Sequence, residues 1–103
     1  MSRVLIERRL FDLAQRLRRA RDELAVVDEQ LAAMTDTADD ARLRSMVSET
    51  PLAHREYTEA QRHADAMRRS RDALAGNIAD MQRAQDELLD RLVPGAYRSD
   101  SQS

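Results

Sequence analysis

The sequence predicts an all-α protein, an antiparallel coiled-coil hairpin of helices, and three observations carry that expectation. First, apolar residues recur in alternating steps of four and three: Ile6, Leu10, Leu13, Leu17, Ala20, Leu24, Val27, Leu31, Met34. That is heptad spacing, which a strand of period two cannot produce. Second, another seam follows through Leu43, Met46, Thr50, Ala53, Tyr57, Ala60, Ala64, Met67, Arg71, Leu74, Ile78, Met81, Gln85, Leu88 and Leu92, with Thr50, Arg71 and Gln85 as polar interruptions. Third, the 103 residues are 35% charged and 3% aromatic, with two Gly and two Pro. So few turn residues argue against an all-β fold. The dominance of Ala, Glu, Leu, Arg, Asp and Gln is that of long helices.

The elements follow in order. The first seam predicts a helix over about residues 3–34. The two seams differ in phase, because Leu31 and Leu43 hold equivalent positions without being a multiple of seven apart. A turn over about 35–40 removes the conflict and makes a hairpin. The second helix is expected over about 41–93, kinked near Pro51, where Thr50 is placed to cap and Pro51 to sit first in a helix. It stops at Val93 because Pro94-Gly95 follows. The expected domain is therefore a single hairpin over 1–94, with residues 95–103 a disordered tail.

In that register the second helix is too long. Residues 76–93, roughly 27 Å of helix at 1.5 Å per residue, either overhang or fold back as a third helix. The apolar residues left uncovered, Val4, Phe11, Ile78, Met81, Leu88, Leu89 and Leu92, define an expected surface for self-association or for a protein partner. A homo-oligomer, a dimer first, is the expected use, because so small a helical core is marginal alone.

Charge is segregated along the chain. From Arg3 to Arg21 there are seven Arg against Glu7 and Asp12, whereas Asp22 to Asp40 holds seven acids and no Arg. The expected hairpin thus has a basic end, with Arg8, Arg9, Arg16, Arg18, Arg19, Arg68 and Arg69, and an acidic tip, with Asp36, Asp39 and Asp40. At the tip Asp36 or Thr37 would cap the second helix, and Asp39 and Asp40 would sit in its first turn, favoured by the helix dipole. A helical hairpin with an acidic tip resembles the N-terminal domain of bacterial transcript-cleavage (Gre-type) factors, which insert such a tip into the secondary channel of RNA polymerase. The likeness covers shape and the Asp39-Asp40 pair. It implies an alternative function, a regulator of transcription or translation acting through the acidic tip or the Arg-rich end. Nucleic acid is the weaker partner for the basic end, because net charge is −2 and no aromatic platform accompanies the arginines.

Other chemistry is excluded more firmly. There is no Cys, hence no thiol nucleophile, thiolate metal site or disulfide. Glu59 and His63 share a helix face, but His54 points elsewhere and a metal needs three or four ligands. No cofactor is expected. No Gly-rich phosphate loop and no nucleophile–base pair is present, so the chain reads as no enzyme. No apolar run reaches the ~20 residues of a membrane span, and the N-terminus lacks the apolar core of a secretory signal. The expected location is the cytoplasm. All seventeen basic residues are Arg, which GC-rich coding explains. The stretch ADDARLRSMVSETPLAHREYTEAQRHADAMRR is similar to small, Arg-rich helical proteins of high-GC actinobacteria. That resemblance implies a helical fold and an origin, with no activity attached. The function these readings imply is a non-enzymatic interaction or scaffold protein working through helical faces.

Overall fold

The structure, a computed structural model, describes residues 2–93. Two helices, α1 (Arg3–Ser48) and α2 (Pro51–Leu92), make up the described chain and are joined by Glu49 and Thr50. The fold is the all-α helical hairpin that the heptads predict. Ser2 starts it: its hydroxyl accepts the Leu5 N–H at 3.3 Å and its carbonyl accepts the Ile6 N–H at 3.1 Å. The hydroxyl satisfies one of the orphan amides of a helix N-terminus, and the carbonyl accepts the first bond within the helix.

The turn lies elsewhere than expected. α1 runs unbroken through residues 35–40 and for two further turns. Continuing the four-three steps beyond Met34 gives the reason. They land on Ala38, Ala41 and Ser45, and both alanines are only 2% exposed. Leu43 and Met46, which a turn at 35–40 needs on the seam, stand 61% and 62% exposed. Phase decides the buried face, and the bulk of Leu43 and Met46 does not. Asp36, Thr37, Asp39 and Asp40 are exposed within the helix. Thr37 donates its hydroxyl to the Ala33 carbonyl at 3.0 Å, so its polar group is satisfied without ending α1. No helix begins there for Asp36 or Thr37 to cap.

Reversal occurs at Glu49-Thr50. Glu49 takes φ 50° and its N–H donates to the Ser45 carbonyl at 3.1 Å. This is the left-handed cap that ends many helices. Thr50 then accepts the Ala53 N–H on its hydroxyl at 3.1 Å, and Pro51 fills the first helical position, where a missing N–H costs nothing. Pro51 therefore starts α2; it does not kink a helix begun at 41. With 46 residues in α1 and 42 in α2, the lengths nearly match. Residues 76–93 neither overhang nor fold back. The tail expected at 95–103 lies outside the described residues.

The chain divides into two compact units, each pairing a stretch of α1 with a stretch of α2. One unit spans residues 23–74 and holds the turn. Its register is marked by Arg71, which donates to Asp28 at 2.9 Å, and by Met34, which shares a groove with Ala60 and His63. In that register the two seams run antiparallel in layers, with Ala33, Met34 and Thr37 beside Ala60 and His63, and Asp28 beside Arg71. Such antiparallel layers join an a position to a d position. Small residues dominate near the turn, which lets the two backbones approach closely.

The other unit joins residues 2–22 to 75–93. Here Leu13 of α1 shares a groove with Ala84 and Leu88 of α2, and Leu17 shares one with Gln85. Gln85 is a polar, half-buried member of this seam. Ile6, Leu17, Ala20, Ile78 and Leu88 are buried, Leu17 most completely at 1% exposure.

Candidate functional site

With the seam accounted for, the side chains available for function are those on the outward faces. In the unit holding the turn, Leu43, Met46 and Val47 lie at i, i+3 and i+4 on α1, hence on one face. All three are exposed, Val47 at 85%, and Leu52 adds a fourth exposed apolar side chain just past the turn. Asp36, Asp39 and Asp40 continue the same face of α1 away from the turn and are exposed. The acids are therefore a flank below an apolar cap. They are not the tip, and the acid at the turn itself is Glu49.

The other unit carries a related face. Val4, Leu5 and Phe11 are exposed on α1, Phe11 at 64%. Arg8, Arg18 and Arg19 continue that face and are exposed, as are Arg9 and Arg16 on its edge. Arg9, Arg16 and Arg91 line a groove of about 410 Å³ floored by Leu13 and Leu88, with Asp12 and Glu87 opposing their charge. Arg68 and Arg69, expected beside these arginines, belong to the unit with the turn. Arg68 there contacts Asp65 at 3.5 Å.

The expected association surface divides accordingly. Val4 and Phe11 are exposed. Ile78 and Leu88 are buried, and Met81, Leu89 and Leu92 are half-buried. α1 covers this stripe once the lengths match, so those five side chains serve the hairpin's own core. The residues missed by sequence reasoning are Val47 and Leu52, together with Leu43 and Met46, which it spent on the seam. Carrying the four-three steps through Ala38, Ala41 and Ser45 would have left Leu43, Met46 and Val47 outside.

Charge follows the same division. Among the described residues, the unit with the termini has nine Arg against seven acids, and the unit with the turn has seven Arg against eleven. Arg71 is the exception to the outward placement of charge, since it holds a seam position. Its guanidinium is pushed above its ordinary pKa, chiefly by the hydrogen bond to Asp28 and next by that to Asp72. Other ion pairs, such as Arg3 with Glu7 and Arg83 with Asp80, are short-range pairs along one exposed helix and contribute little to stability.

His54 and His63 are both exposed. His63 edges a groove of about 200 Å³ with Ala33, Met34, Thr37 and Ala60. Among the described residues no three acidic or imidazole side chains gather as a metal site, and no helix is long and apolar enough to cross a membrane. No protein-family model, no curated protein and no solved structure matches this chain.

Proposed function

We propose that this chain is a non-enzymatic interaction protein of the cytoplasm, acting through the outer face of its helical hairpin. The observation that carries the reading is the apolar cap beside the turn. Leu43, Met46, Val47 and Leu52 are exposed, outside the set of buried residues that forms the hairpin's own core. Apolar side chains grouped in water beside charged neighbours favour a protein surface over solvent. A helical pair also offers rigid presentation with little backbone to order on binding.

A photo-cross-linking residue tests this. It is placed at Val47 in one protein and at Arg62, an exposed site on α2, in another. Irradiation of each, purified and in cells, should give protein adducts from position 47 well above those from 62. Equal or absent adducts at the two positions would end the interaction reading.

A further inference from the structure

The two outward patches of α1 are mirror-ordered. Read forward from the start of α1, one unit presents apolar Val4, Leu5 and Phe11 and then basic Arg18 and Arg19. Read backward from the end of α1, the other unit presents apolar Val47, Met46 and Leu43 and then acidic Asp40 and Asp39. All are exposed, and no ion pair among the described residues engages Arg18, Arg19, Asp39 or Asp40.

We infer that the partner of this face is a second copy of the chain, with the basic-apolar patch of one copy docked antiparallel on the acidic-apolar patch of the next. Resting on the reading of the chain as an interaction protein, this names the partner and the contact. In the matching register, Phe11 of one copy packs on Met46 and Val47 of the other. Arg18 and Arg19 then reach Asp40 and Asp39. Phe11 and Arg18 are a heptad apart, as are Val47 and Asp40, so setting Phe11 on Val47 aligns the charges as well. Gln15 faces Leu43, and Asp22 approaches Asp36, one repulsive contact against two complementary ones. A parallel docking that sets Arg18 and Arg19 beside Asp39 and Asp40 puts Phe11 beside Ala32 and Asp22 beside Leu43, so matching charge and Phe11 at once selects the antiparallel arrangement. Each copy carries both patches. Association therefore either closes as a pair or continues head to tail.

Charge reversal tests the inference with the full chain. One variant carries R18E and R19E, the other D39R and D40R. All four sites are exposed, so both variants keep the wild-type helical circular dichroism. Sedimentation velocity of the wild type should show a dimer or a longer species that weakens with salt. Each variant alone should associate at least about a hundredfold more weakly, because like charges now meet. Mixed together, they should associate again, since the carboxylates introduced at positions 18 and 19 of the first would face the guanidinium groups introduced at positions 39 and 40 of the second. Wild-type monomer at all concentrations overturns the inference, and so do variants that self-associate like the wild type or a mixture that stays monomeric. If the wild type is monomeric while position 47 still cross-links another protein in cells, the interaction reading survives and the second copy alone is excluded.

Discussion

Glu49 holds a backbone conformation that side chains with a Cβ adopt at a cost of roughly 1 kcal/mol. The chain uses it because the reversal needs a left-handed residue between Ser48 and the Thr50 cap. Glycine adopts that conformation without the steric penalty, although it loses more entropy on folding. Glu49→Gly should therefore raise stability by about 0.5–1 kcal/mol. Thr50→Ala, in contrast, removes the hydroxyl that accepts the Ala53 N–H and should lower stability by about 1 kcal/mol. Urea unfolding of both variants checks the pair. If Glu49→Gly destabilised the protein, the reversal would not lie at residue 49. Thr37 and Thr50 show why the turn is hard to place from sequence. Both are threonines near acids, yet one bonds backward to the Ala33 carbonyl inside a helix and the other forward to an amide at a helix start. Side-chain type permits either, and only the phase of the surrounding seam distinguishes them.

Phase is also what makes the helices legible. The steps from Ile6 to Met34 and from Ala53 to Leu92 predict the buried stripes of both helices correctly, because apolar residues, large or small, keep one phase through each. Between them the stripe thins to Ala38, Ala41 and Ser45, whose small side chains look like an interruption. They are the opposite, a place where the helices come close enough for Ala38 to be 2% exposed. Taking that thinning for a gap moves the turn by some ten residues and shifts the pairing of every layer. The register has a direct test. Leu17→Ala should cost about 2–5 kcal/mol, since it empties a site that is 1% exposed. Leu43→Ala should change stability by no more than about 0.5 kcal/mol. Comparable losses at the two sites would return Leu43 to the seam. Arg71 marks the same register electrostatically. Because its pKa is raised, its pairing with Asp28 is not lost to deprotonation of the guanidinium until strongly alkaline pH passes that raised value. The candidate interaction face becomes legible only once the seam is placed, because it consists of the residues the seam rejects.

For the whole molecule the balance between core and surface decides the state in solution. Among the described residues, five of the nine buried apolar ones are alanines, and Ile6, Leu17, Ile78 and Leu88 are the larger ones. Alanine buries little area, so at about 25 cal/mol per Å² the core of one hairpin supplies a thin margin over the entropy of ordering it. Meanwhile Val4, Phe11, Met46 and Val47 remain exposed. Association would convert that unused area into stability, and mass action then makes folding depend on concentration. At about a hundredfold above the dissociation constant, the gain is about 2.7 kcal/mol. For a chain of this size that corresponds to a Tm roughly 10 °C above its dilute limit. Val47→Asp removes the apolar contact from a side chain that is 85% exposed, so it leaves the isolated hairpin intact. Its Tm should match that of dilute wild-type protein and stay flat as concentration rises. Thermal melts by circular dichroism over a wide concentration range compare the two. A wild-type Tm that did not move with concentration would mean that the alanine-rich seam holds the hairpin alone, and the outer face would then have to be explained without a second copy.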